Sequence, residues 1–201
     1  MKRKFTLIEI LGVTILISIL AAIGIAAYSY AMESSKESAT RALITRVSTA
    51  FEALREEGLL PRTQGSSGTE FLMLVFNPDP TTVNYSGTDK DEKGLRFTDG
   101  TSSTELGSSN TDKAKAYKLF AKAIGADSIK RNLNEKNQLT DSWGNPIYVR
   151  YPGKFNRGGF DIIAAGSDGG LGEDVDSTPS DDIDDYRDSD NEWLCDDITN
   201  F

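Results

Sequence analysis

The chain has 201 residues, with 22 Lys and Arg against 31 Asp and Glu, no His and one Cys, for a formal net charge of −9. Without His there is no Ser-His-Asp or Cys-His catalysis and the commonest zinc ligand is missing; a single Cys, Cys195, excludes an intrachain disulfide. The acidic balance argues against nucleic acid as a partner, because phosphate binding needs the opposite sign, and it favours cations.

The chain opens with three bases, Lys2, Arg3 and Lys4, before an apolar run from Leu7 to Ala27 whose only ionisable side chain is Glu9. About twenty helical residues at about 1.5 Å each cross the roughly 30 Å hydrocarbon core of a bilayer. The positive-inside rule keeps the N-terminus cytoplasmic and places everything after Tyr28 outside. An unpaired carboxylate at depth costs roughly 2–3 kcal/mol, so Glu9 needs a partner, or a shallow position from which it reaches the interface. Two plainer readings compete. One is a secretory signal peptide cut after Ala31 in Ser29-Tyr30-Ala31, although the run exceeds the usual apolar core of about 7–15 residues. The other is a single-span anchor.

Phe5-Thr6-Leu7-Ile8-Glu9 followed by a long apolar helix resembles the signal of type IV pilins and type II secretion pseudopilins. The resemblance implies cleavage by a prepilin peptidase between Lys4 and Phe5 and methylation of Phe5. It also implies pairing of Glu9 with the N-terminal amine of a neighbouring subunit as subunits assemble into a filament. Lys4 stands where the family usually has Gly, and Ser18 and Ala26 stand where it often has Gly and Pro.

Beyond the membrane segment, Ala39, Leu43, Val47, Ala50, Phe51 and Leu54 recur at spacings of three and four, which predicts one apolar stripe on a continuing helix. Gly58 and Pro61 stop it. The segments expected are thus a leader over 1–4, a transmembrane half of the helix over 5–28, an amphipathic half over 29–60 and a globular region over 61–201.

Phe71 to Phe76 is an apolar run that reads as a buried strand or a helical turn. Thr81 to Asn110 reads as a long loop with a hairpin around Leu95-Arg96-Phe97. Asp112 is the expected N-cap of a short helix that stops at Gly125. Ser128 to Leu139 is polar and ambiguous. Gly144-Asn145-Pro146 is a turn signal before a β-prone stretch at Ile147–Tyr151. Phe160–Ala164 is the next strand, antiparallel to it. Asp141-Ser142-Trp143-Gly144-Asn145-Pro146 resembles the C-terminal part of the major pseudopilin of type II secretion, with Tyr148 or Tyr151 as its closing Tyr. Trp143 is expected to pack the sheet against the long helix.

An acidic, glycine-rich stretch follows, Gly166-Ser167-Asp168-Gly169-Gly170-Leu171-Gly172-Glu173-Asp174. Glycines permit tight curvature and carboxylates supply the hard oxygens calcium prefers, though the spacing is not that of an EF-hand. The stretch resembles the calcium loop of the major pseudopilin. That resemblance implies Asp168 as a side-chain ligand, with the carbonyls of Ala164 and Gly166 beside it and either Asp196 and Asp197 or Asp181 and Asp182 completing the site. The competing readings are a solvated acidic tail and a carboxylate pair for glycoside hydrolysis, for which no cleft is evident.

The expected fold is α+β and pilin-like, a long N-terminal helix on a small antiparallel sheet. The expected protein is not an enzyme. It is a single-pass inner-membrane subunit with a periplasmic domain, which meets an inner-membrane assembly platform and its own copies in a filament for protein export. The rival is an anchored or exported calcium-binding module that does not polymerise.

Overall fold

The computed structural model describes residues 7–60, 71–77, 94–99, 103–173, 179, 182–187 and 194–201. The processing pair Lys4 and Phe5, and Asp181, lie outside them. The chain divides into two units, Met1–Lys36 and Glu37–Phe201.

Helix α1 runs without a break from Leu7 to Glu56. In its first unit every described side chain from Leu7 to Ser35 is exposed, including Leu11, Leu16, Leu20 and Ile23. By length and composition this helix is long and apolar enough to cross a membrane.

In the second unit α1 becomes one-sided. Thr40, Leu43, Ile44, Val47, Ala50, Phe51 and Leu54 are buried. The expected stripe holds except at its start, where Ala39 is exposed and Thr40 takes the inward position. Gly58, at φ 66°, ends the helix in the left-handed region. Its N–H reaches the Arg55 carbonyl at 3.0 Å and the Leu59 N–H reaches Leu54 at 2.9 Å.

The sheet has six antiparallel strands: β1 Leu72–Phe76, β2 Leu95–Thr98, β3 Ser103–Glu105, β4 Ile147–Arg150, β5 Asp161–Ala164 and β6 Ile198–Thr199, in the order β3-β2-β1-β4-β5-β6. The apolar run at 71–76 is therefore a strand, and a central one. Strand alternation sends Leu72, Leu74 and Phe76 of β1, and Ile162 and Ala164 of β5, into one core with the α1 stripe. Phe51 is its hub, with ring centroids 5.7 Å from Phe97, 5.7 Å from Phe120 and 5.2 Å from Phe160. Trp143 packs against this core as expected.

Ile163 points to the other face, where it meets Ala165, Leu171 and Tyr186 in a second cluster flanked by Phe155, Cys195 and Phe201. The C-terminal region thus buries apolar surface of its own, which a fully solvated tail would not do.

Helix α2, Asn110–Ile124, starts one turn earlier than expected. Ser109 is the N-cap, and Asp112 is the reciprocal member of the capping box rather than the cap itself. The Ser109 hydroxyl accepts from the Asp112 N–H at 3.2 Å, and the Asp112 carboxylate accepts from the Ser109 N–H at 3.2 Å. Gly125, at φ 71°, ends the helix as expected. The short helix α3, Ala126–Ile129, follows, with a 3-10 turn at Lys130–Asn132 where the sequence was ambiguous. Ser109→Ala is expected to cost about 1 kcal/mol of stability, read as a lower denaturation midpoint at unchanged slope. An unchanged midpoint would mean that packing of Tyr117 and Phe120 alone holds the helix start.

A candidate cation site in the acidic loop

Strand β5 ends at Ala164 and the chain turns at Gly166, φ 70°. A Cβ there would lie 2.5 Å from the Asp196 carbonyl oxygen and 2.8 Å from its Oδ2, so only glycine lets Asp196 approach. Asp196 comes from nearly thirty residues downstream. It is brought here by β6, whose Ile198 and Thr199 pair with Ala164 and Ile163. Cross-strand pairing therefore sets the two acidic stretches side by side.

The acidic pair holds both ends of the loop. Asp196 Oδ2 accepts from the Ser167 N–H at 2.5 Å, the Ser167 hydroxyl at 2.7 Å and the Asp168 N–H at 3.2 Å. Asp197 Oδ2 accepts from the Gly172 N–H at 2.6 Å. Between them Asp168 Oδ1 accepts from the Gly170 N–H at 2.8 Å and tightens the turn.

The electrostatics follow from burial and crowding. Burial raises the Asp197 pKa to about 6. The Gly172 N–H and the Cys195 thiol work against this shift, and the negative charges of Asp196 and Asp168 add to it. Asp197 is 4% exposed, and its Oδ1 is buried without a hydrogen-bond partner. Partial burial also opposes the charge of Asp196. Hydrogen bonds from Ser167 and Asp168 outweigh it and hold the Asp196 pKa below the ordinary value. Burial pushes the Cys195 thiol up to about 12, which makes it unreactive.

Behind the loop stands the Asp141-Ser142-Trp143-Gly144-Asn145 turn. Asp141 is 3% exposed, and burial raises its pKa against the pull of the N–H groups it accepts. Its Oδ1 takes the N–H of Trp143 at 2.9 Å, of Gly144 at 2.8 Å and of Asn145 at 2.8 Å. The folded turn aims Asn145 Nδ2 at the Gly166 carbonyl oxygen, 2.9 Å away.

The structure thus brings Asp168, Asp196 and Asp197 together. Ala164 sits in β5 between Ile147 and Ile198. Gly166 keeps one carbonyl lone pair beyond the bond from Asn145. Asp182 caps the 3-10 turn at Ile183–Asp185, accepting from the Asp184 N–H at 3.2 Å. Glu9 lies in the first turn of α1, where a carboxylate suits the helix dipole. Asn145 and Asp141 stand beside the loop and are not among its expected ligands. An Asp followed by Gly and Asn within four residues was the available signal, because such an Asp folds its own turn.

The donors are all hard oxygens, which suits calcium and not a thiolate- or imidazole-preferring metal. A buried carboxylate oxygen with no partner, beside two further carboxylates, also fits a cation. Among the described residues, no group of three or more Asp, Glu, Cys or His side chains is placed so as to hold a metal ion. No family model, no curated protein and no solved structure matches this chain.

Proposed function

We propose that this chain is a membrane-anchored, pilin-like structural subunit of a type II secretion pseudopilus or a related type IV pilus-like filament, with a calcium-binding loop in its extracytoplasmic domain. One observation carries the reading. A single helix, Leu7–Glu56, changes from apolar and exposed on all sides to one-sided and buried against an antiparallel sheet. A soluble domain has no use for the exposed part, and a bare anchor has no need to continue through the core. In a bilayer the apolar surface is satisfied by lipid. Under the pilin resemblance Glu9, costly in lipid, is matched by the amine of a neighbouring subunit's processed Phe5.

Calcium, when bound, would be held by Asp168, Asp196 and Asp197 with a carbonyl from Gly166 or Ala164, and it neutralises their mutual repulsion. The remaining work is done by the chain itself: the N–H groups of Ser167, Asp168 and Gly172 pin the loop to the acidic pair, and β6 pins that pair to the sheet.

Intact mass and N-terminal peptide mass spectrometry on the protein from its native membrane test the reading. A methylated Phe5 is the expected result. A mature start at Met32 would support an exported calcium-binding module and end the filament reading. Glu9→Leu is expected to leave membrane insertion intact and abolish incorporation into filaments, as judged by cross-linking between α1 helices in the membrane and in sheared filament fractions. Normal incorporation of this variant would remove Glu9 from assembly.

A further inference from the structure

Charge is unevenly placed on the second unit. Helix α2 carries four lysines and one acid, Asp112, in a chain whose formal net charge is −9. Its inward face is fixed by Ala116, Tyr117, Phe120 and Ile124, which are buried. At about 100° per residue, Lys115, Lys118 and Lys122 fall within about 60° of one another on the outward face, and all three are exposed. Lys113 pairs with Glu105 and Lys115 with Glu57. Among the described residues Lys118 and Lys122 make no ion pair. They stand at i and i+4, where like charges repel, so the stripe costs the helix stability.

The opposite sign gathers elsewhere. The Glu173 N–H donates to the Asp185 carbonyl oxygen at 2.8 Å, which ties the end of the glycine-rich loop to the 3-10 turn Ile183–Asp185. Exposed Glu173, Asp182 and Asp184 thereby flank Ile183, which is 37% exposed. Leu194, whose N–H reaches the Tyr186 carbonyl oxygen at 3.0 Å, is 39% exposed beside the same turn. Among the described residues of this unit, no other large apolar side chain is exposed. An apolar spot inside a charged rim is the make-up of a docking surface.

The two surfaces do not meet within one chain. Tyr117 and Phe120 seat α2 on Phe76, in the core that α1 shares. Tyr186 seats the acidic turn against Ile163, on the other face of the sheet and toward its β6 edge. The sheet stands between them.

We propose that the Lys118 and Lys122 face of α2 docks, head to tail, on the acidic turn at 182–185 of a second copy of this chain. The inference rests on the filament reading for its partner. Charge complementarity selects that occupant. Two copies at −9 repel each other in general, and only a contact that sets the basic stripe against an acidic surface reverses the sign locally. The two patches are different parts of one molecule, so the contact is heterologous. A pair of copies leaves one stripe and one turn unfilled, and further copies can add. Apolar helices side by side in lipid have no hydrophobic drive to a fixed register, and the paired charges supply one.

The test uses the full chain in phosphatidylcholine vesicles, with heavy-isotope and light preparations mixed in equal parts. A zero-length carbodiimide joins a lysine amine to a carboxylate in direct contact, and peptide mass spectrometry separates links between copies from links within one. Links between copies from Lys118 or Lys122 to Glu173, Asp182 or Asp184 are expected. They should fall severalfold as NaCl is raised from about 0.05 M to about 0.5 M, because exposed charges are screened. Lys118→Glu with Lys122→Glu should lose these links, and so should Glu173→Lys with Asp184→Lys. A mixture of the two variants should regain them, since each keeps the patch that the other has lost. Links between copies that avoid α2 would overturn the docking surface and leave the filament reading standing. Failure of the mixture to recover, with both variants keeping wild-type helix content by circular dichroism, would also overturn it. Links confined to single chains would overturn it too, and cross-linking between α1 helices in the native membrane then decides the filament reading separately.

Discussion

Asp161→Ala is expected to cost about 3–5 kcal/mol, a large share of the roughly 5–15 kcal/mol that holds an ordinary domain folded. Asp161 is fully buried and collects five donors. Arg150 gives it Nε at 2.9 Å and Nη2 at 2.7 Å, and the loop gives it the N–H of Lys154 at 2.7 Å, Phe155 at 3.2 Å and Asn156 at 2.7 Å. Arg150 is 1% exposed, and its guanidinium lies 4.1 Å from the Phe71 ring centroid and 4.8 Å from that of Phe155. Removing Asp161 takes its carboxylate away from a buried guanidinium and from three loop N–H groups at once. The opposite change is milder. In Arg150→Met the carboxylate keeps its three backbone donors, and the thioether chain fills the slot between the two rings. Less than half the loss of Asp161→Ala is expected, and the double variant should recover stability relative to Asp161→Ala alone. Urea denaturation of the full chain in mild detergent, followed by tryptophan fluorescence, reads all three. An Arg150→Met variant as unstable as Asp161→Ala would show that the cation, and not the carboxylate, organises the loop.

That buried pair also marks the limit of what the sequence could reveal. Arg150 and Asp161 are register partners across β4 and β5. Each reads locally as an ordinary charge at a strand end, and only the length of the connection between the strands brings them opposite one another. The same limit applies to β6. Two residues have no periodicity, and their pairing with β5 is a tertiary event. Where a signal is local, it was legible. The stop at Gly58, the hairpin strands Ile147–Arg150 and Asp161–Ala164, and the packing role of Trp143 all follow from turn chemistry and alternation. Two local readings were displaced for a stated reason. Ser109 takes the cap from Asp112 because the capping box uses both, with the acid three residues inside. Thr40 takes the inward place of Ala39 because its hydroxyl has a partner in Ser142. Within the candidate site, the carboxylates were visible as a composition and a pattern. The turn beside them was legible at Gly144-Asn145-Pro146, but nothing in a Trp-Gly-Asn-Pro string says which carbonyl its Asn will reach.

Calcium at about a hundred times its dissociation constant is expected to stabilise the chain by about 2.7 kcal/mol, or roughly 5–10 °C in Tm for a domain of this size. Asp197→Asn should abolish that gain. The pH dependence without metal gives a second, independent readout. The folded-state pKa of Asp197 is raised to about 6, against an ordinary value of 3.8. Between those values the folded chain holds a proton that the unfolded chain has released. Stability therefore falls as pH rises from about 4 to about 6, and the loss is complete above that range. Asp141 is also raised and contributes with the same sign, so Asp197→Asn should flatten the slope without erasing it. Asp196, lowered, acts in the opposite sense, and its contribution is lost only as the pH falls below about 4. At neutral pH the metal-free variant should thus be more stable than the metal-free wild type, while the calcium-loaded wild type should exceed both. That ordering is what a site built for a cation produces: its carboxylates cost stability until their counter-charge arrives. A solvated acidic loop predicts neither effect, with no calcium shift and no gain on neutralising Asp197. Thermal scans at pH 4.5, 6 and 7.5, with and without calcium, on wild type and Asp197→Asn decide between the two.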